Sequence, residues 1–171
     1  IQAALTGHLV FSTLHTNDAP SAITRLIDMG VKPFLVASSI QAILAQRLIR
    51  INCKECNAPI DASEVDPKYL RLVGITLEEA EGRMMKGKGC PNCTNTGYRG
   101  RRGIYEMMLM TSHIRELAFK LAPIAEIRRA AIANGMKSLV DDGKVKVLAG
   151  KTTADEIART TQVDLGNQAT Q

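Results

Sequence analysis

Tryptophan is absent from this chain, and phenylalanine and tyrosine number only three each. Any core must therefore rest on Leu, Ile, Val, Ala and Met. A groove that stacks nucleic-acid bases on aromatic rings has too few platforms. No apolar run is long enough to span a bilayer, and no basic-then-apolar leader opens the sequence. No GxxxxGK[ST] loop occurs to cradle phosphates. Charge of one sign does not dominate either. The formal net charge of +5 is a mild excess, compatible with phosphate ligands, acidic partners or membrane headgroups. Its densest cluster is Arg99, Arg101 and Arg102.

Cysteine is scarce too, but all four copies are organised. Cys53-Lys-Glu-Cys56 and Cys90-Pro-Asn-Cys93 are two CxxC pairs. Two residues between thiolates let one turn aim both sulfurs at one ion, and two such turns complete a tetrahedron. Zinc suits a Cys₄ set, which leaves no open position for a substrate. Two disulfides, a redox pair or unpaired core thiols are the rival readings; a redox CxxC needs only one pair. The long stretch between the pairs implies an inserted lobe with its own helix.

Ile1 to Leu5 reads as the end of a helix already under way, closed by Gly7, as in a fragment of a longer polypeptide. Residues 9–14 are β-rich and are expected to form a buried strand. Asn17 or Asp18 then caps a helix with Pro20 in its first turn, which stops near Gly30. A longer helix is expected after Pro33, burying Leu35, Ile40, Ile43, Leu44 and Leu48 and ending in Arg47 and Arg50. Inside the lobe, residues 67–73 form a short helix closed by Gly74, and Thr76 with Glu79 makes a capping box for another. Residues 104–110 form a strand. Helices follow at 113–121, 124–134, 138–149 and 153–161, the last with a Thr153/Glu156 capping box. The expected class is α/β, with part of the sheet upstream.

The run Thr6-Gly-His8-Leu-Val-Phe-Ser-Thr13-Leu-His15-Thr16-Asn17-Asp18-Ala19 resembles the His box of the hexameric ATPases of type II secretion and type IV pilus assembly. So does Leu44-Ala-Gln-Arg47-Leu-Ile-Arg50, leading into the first CxxC pair. The second pair, followed by Gly97-Tyr-Arg-Gly-Arg-Arg-Gly103-Ile-Tyr-Glu106, and the segment Gly135-Met-Lys-Ser-Leu139 to Thr153 match the same family. The resemblance covers nearly the whole chain. It makes the retraction-motor branch less expected, because those members typically lack the tetracysteine lobe.

The resemblance implies the C-terminal part of a RecA-like P-loop NTPase domain. Residues 1–50 are its core segment with the His box, and 51–102 the tetracysteine zinc lobe. Residues 103–163 carry the final core strand and helical segment, and 164–171 a disordered tail. It further implies a homo-hexamer in the cytoplasm, held peripherally at the inner face of the bacterial inner membrane. ATP and Mg²⁺ are its ligands, an inner-membrane platform protein and a cytoplasmic adaptor its partners, and nucleic acid is not among them. The phosphate loop and the acidic Walker B segment precede these residues in the family and are missing here, so this stretch alone is expected to be inactive.

A histidine at the carboxyl end of a strand sits where open α/β sheets bind ligands. By resemblance, His15 senses the γ-phosphate or the attacking water, with Thr13, Thr16 and Asn17 shaping its loop. His8 belongs to the same box, although a histidine bonding nearby backbone explains it equally. His113 reads as an ordinary helix-start residue. Arg25, Arg47, Arg99, Arg101 and Arg102 suit either a solvated surface or subunit contacts. Met84, Met85, Met107, Met108 and Met110 suit a core, a loop or an adaptable contact surface. The alternatives to a motor ATPase are a zinc-dependent nucleic-acid-binding module and a structural zinc adaptor.

Overall fold

The computed structural model describes residues 1–166. Its helices are α1 (Gln2–Leu5), α2 (Ala19–Asp28), α3 (Pro33–Ser39), α4 (Pro67–Val73), α5 (Leu77–Ala80), α6 (Ser112–Phe119), α7 (Ile124–Ala133), α8 (Leu139–Leu148) and α9 (Ala154–Gly166). Its strands are β1 (Ala42–Asn52), β2 (Asn57–Pro59), β3 (Met85–Gly87) and β4 (Tyr98–Leu109). β1 pairs with β4. β2 pairs antiparallel with β3, Asn57 facing Gly87 and Pro59 facing Met85. The mixed content is α/β. The chain forms two compact units: Ile1–Ala45 with Tyr105–Ser138, and Gln46–Ile104 with the described residues from Leu139 onward.

In the first unit, Ile23, Val36, Met108, Ile114 and Ile127 are fully buried in one cluster. Helix α2 starts where expected: Asp18 is extended and its carboxylate accepts the Ser21 N–H at 2.8 Å. Thr111 caps α6, and the chain leaves α7 through Gly135. The Arg115 guanidinium donates to the Ala37 carbonyl and to Gln41 Oε1, tying α6 to the end of α3.

In the second unit, Ile49, Leu70, Val73, Ile104, Leu139, Val147 and Ile157 form the core. Asp66 caps α4, which ends at Gly74 in the left-handed region, and Thr76 and Glu79 form the expected capping box on α5. Lys144 on α8 reaches back to the Glu79 carboxylate at 2.8 Å and the Gly74 carbonyl at 2.6 Å. Helices α8 and α9 approach closely at Gly143, where a Cβ would lie 2.7 Å from the Ile157 side chain.

Two expected elements are different. Residues 9–14 form no strand: Leu9 and Phe11 are 83% and 88% exposed, and no described strand pairs with them. A β-rich run becomes a strand only when a neighbour takes up its N–H and C=O groups. The long helix after Pro33 stops at Ser39, and residues 42–52 are strand β1. Ile43, Ala45, Ile49 and Ile51 turn inward while Leu44 and Leu48 lie on the exposed face. That alternation has period two, which the apolar spacing also permits.

Smaller differences concern the ends. α9 runs to Gly166 rather than 161, so residues 164–166 are helical, and 167–171 of the expected tail lie outside the described residues. The strand expected at 104–110 begins at Tyr98. Of the methionines, Met84, Met108 and Met110 are core, whereas Met107 is exposed.

Candidate metal centre and the His15 loop

All four cysteines converge in the second unit. Their sulfurs lie within 4.8 Å of one another. Cys53–Cys90 and Cys56–Cys93 are 3.8 Å apart and Cys90–Cys93 3.7 Å. A tetrahedron with metal–sulfur bonds of about 2.3 Å has an edge of about 3.8 Å. A disulfide requires about 2.05 Å, and all four cysteines are free thiols. The four residues can therefore hold one metal ion.

The backbone explains the convergence. In each pair the second cysteine's N–H returns to the first cysteine's carbonyl, at 3.3 Å for Cys56 and 3.1 Å for Cys93. Pro91 starts the second turn, and Thr94 and Asn95 adopt left-handed φ values of 50° and 57° to close it. The Cys53 N–H donates to the Gly97 carbonyl at 2.9 Å, and the Lys88 N–H to the Cys56 carbonyl at 3.0 Å. The first pair is thereby stitched to both flanks of the second. The two flanks meet at Gly87 and Gly97. A Cβ on Gly87 would stand 2.0 Å from the Gly97 carbonyl oxygen.

The surroundings prepare the sulfurs for charge. Cys93 Sγ accepts the N–H groups of Cys90 at 3.2 Å and Gly97 at 3.3 Å, and Asn92 Nδ2 donates to Cys53 Sγ at 3.7 Å. Burial opposes a charge on Cys93, but the backbone donors outweigh it and hold its pKa down at about 6. Burial pushes Cys56 up to about 12, and Cys90 is also raised chiefly by burial. Four thiolates this close need a cation to coexist; without one, the best-donated sulfur ionises alone.

A second cluster in this unit was not legible in the sequence. Arg50 donates through Nε and a terminal nitrogen to Glu156 Oε2, at 2.9 and 2.6 Å, and through its backbone N–H to Oε1 at 2.9 Å. Its guanidinium lies 4.4 Å from the Tyr98 ring centre, and Tyr98 Oη bonds Thr153 Oγ1 at 2.6 Å. The expected Thr153/Glu156 box is therefore half formed. Thr153 Oγ1 accepts the Glu156 N–H at 3.4 Å, while the Glu156 carboxylate serves Arg50 instead. Capping patterns are visible locally; a partner 106 residues away is not.

The His box lies in the first unit. Thr13 is exposed within the run 9–14, and His15 and Asn17 are exposed and Thr16 half-buried on the segment between that run and α2. His8 is also exposed. Its Nδ1 lies 3.2 Å from the Ala3 carbonyl and 3.0 Å from Thr6 Oγ1, contacts of a histidine that fastens the turn after α1. His113 starts α6 as expected. No described helix is long and apolar enough to cross a membrane.

Residues 1–159 match the family model described as type II/IV secretion system protein. The chain belongs to this family. Over 95% of its length it is 46% identical to type II secretion system protein E of Pseudomonas aeruginosa. Over 93% it is 45% identical to the type IV pilus assembly ATPase PilB of Thermus thermophilus. Over 95% it is 41% identical to the type II secretion system ATPase E of Vibrio cholerae. It spans 31%, 18% and 31% of those three relatives, so about a third of their length or less. Its identity to a secretion protein and to a pilus protein is near-equal, 46% and 45%.

Proposed function

We propose that this chain is the C-terminal part of a motor ATPase that powers type II secretion or type IV pilus assembly. The observation that carries the reading is family membership along residues 1–159, with relatives on both branches named as ATPases. The fold is that of a RecA-like domain, and six full-length copies form the ring. ATP and Mg²⁺ bind chiefly through residues that precede this stretch, so the isolated chain does not hydrolyse ATP. The motor works at the cytoplasmic face of the inner membrane on a platform protein, through a cytoplasmic adaptor.

Within that motor, zinc occupies Cys53, Cys56, Cys90 and Cys93. A closed Cys₄ set supplies no Lewis-acid position for substrate; its chemistry is to fix the fold. The N–H donors on Cys93 and Cys53 support this assignment. His15 is placed at the γ-phosphate of ATP, where an imidazole can donate to a phosphate oxygen or orient the attacking water. Thr13, Thr16 and Asn17 shape the loop. The local hydrogen bonds of His8 support a structural part in the same box.

The test is ATP turnover by the full-length protein, wild type beside His15→Ala, with zinc measured in both. We expect turnover in the first and a loss of about 10²-fold or more in the zinc-replete second. Unchanged turnover removes His15 from the mechanism. No turnover in either favours a structural adaptor.

A further inference from the structure

The first unit buries more charge than its fold requires. Asp18 and Glu106 are 5% and 2% exposed. Both carboxylates meet the start of α2: Asp18 Oδ1 takes the Ser21 N–H at 2.8 Å, and Glu106 Oε1 takes the Ala19 N–H at 2.9 Å. The second oxygens face a common cation. Arg128 on α7 lies 3.0 Å from Asp18 Oδ2 and 4.0 Å from Glu106 Oε2. The Ser21 hydroxyl donates to Asp18 Oδ2 at 2.9 Å.

Capping α2 needs only one of these side chains, and a single Asp does that at the surface of most proteins. Two buried carboxylates on one guanidinium cost desolvation that a plain cap avoids. What the arrangement adds is direction. Asp18 is held by its own helix through Ser21 and by Arg128 on α7, while Glu106 fixes the next residue, Ala19. Three residues span about 10 Å at most, so a fixed Asp18 confines where His15 can reach.

We propose that Asp18, Glu106 and Arg128 form a buried ionic clasp that positions the His15 loop, making Glu106 and Arg128 positioning residues for ATP turnover. The clasp touches no nucleotide and acts through His15. It makes the helix α7 part of the machinery that aims the sensor. This inference rests on the placement of His15 at the γ-phosphate.

The experiment is steady-state ATP hydrolysis by the full-length protein carrying Arg128→Lys, Arg128→Met or Glu106→Gln, each with and without His15→Ala. Arg128→Lys keeps a cation, and Glu106→Gln keeps an acceptor for Ala19, so both guard against simple misfolding. In the His15 background, Arg128→Met lowers kcat about tenfold with KM for ATP within about twofold, because a misplaced group loses rate more than affinity. Arg128→Lys recovers part of that loss. In the His15→Ala background the same changes have no further effect on kcat, since there is no imidazole left to position. An equal loss in both backgrounds, or no loss for Arg128→Met, overturns the clasp. A silent His15→Ala overturns the parent reading instead, so the two failures are told apart.

Discussion

Gly87→Ala tests how the metal knuckles are held. The substitution asks nothing unusual of the backbone, because Gly87 is not among the glycines with positive φ. Its cost is steric. The new Cβ would sit 2.0 Å from the Gly97 oxygen, 2.6 Å from its carbonyl carbon and 2.7 Å from its Cα, against an ordinary contact of 3.4 Å or more. All three atoms are backbone, so no rotamer relieves the overlap. The Gly97 carbonyl holds the Cys53 N–H, and Gly97 N–H holds Cys93 Sγ. Any relief must therefore pull at least one CxxC pair away from the other. Overpacking of this kind costs about 3 kcal/mol, and at about 1.4 kcal/mol per decade that is roughly 100-fold in metal affinity. The assay is zinc competition with a chromophoric chelator on the full-length protein. Gly74→Ala is the control, because its glycine is left-handed but has nothing within 4 Å of the added Cβ. It costs about 1–2 kcal/mol of folding through conformation alone and leaves zinc affinity unchanged. Wild-type zinc affinity in Gly87→Ala would refute the view that this backbone approach registers the two pairs.

Two other contacts give stability tests. Arg50→Met strands the Oε2 atom of the 8%-exposed Glu156 carboxylate while leaving Oε1 its backbone donor. With Arg50 itself half in solvent, the expected loss is about 1–2 kcal/mol, read as a lower melting temperature of the unit; a change under about 1 °C would contradict it. Glu79 is held below the usual carboxylate range chiefly by its hydrogen bond from Lys144. A depressed carboxylate stabilises fully above its unfolded value of about 4.3, and that contribution disappears as pH falls through the lower folded value. Glu79→Gln should therefore destabilise at neutral pH and flatten the acid limb of a pH–melting curve; parallel curves would show that Lys144 contributes nothing there.

What the sequence disclosed depended on range. The caps at Asp18, Thr76 and Gly74 and the stops at Gly135 and Gly150 are decided within a few residues, and the structure has them. The cysteine spacing likewise announced the cluster, because each CxxC turn is local. Residues 42–52 read as a helix because Ile43, Leu44 and Leu48 satisfy a helical stripe as well as a pleat; the partner β4, about a third of the chain away, chooses the pleat. Residues 9–14 have strand composition without a described partner. Glu106 and Arg128 left no trace at all. A carboxylate in a strand and an arginine in a helix look like surface charges until the fold buries them beside Asp18. The approach of Gly87 to Gly97 is hidden in the same way, since nothing local to either glycine marks the other as its neighbour.

The discontinuity of the second unit has a consequence for biosynthesis. Its four cysteines lie within Gln46–Ile104, yet Leu139, Val147, Ala154 and Ile157 complete the same core. A ribosome making ~5–20 residues per second delivers those last residues roughly three to ten seconds after Ile104 emerges. Through that interval the four thiols are outside the exit tunnel with their core unclosed. They are open to metal and to oxidants alike, before the C-terminal helices arrive to close their core.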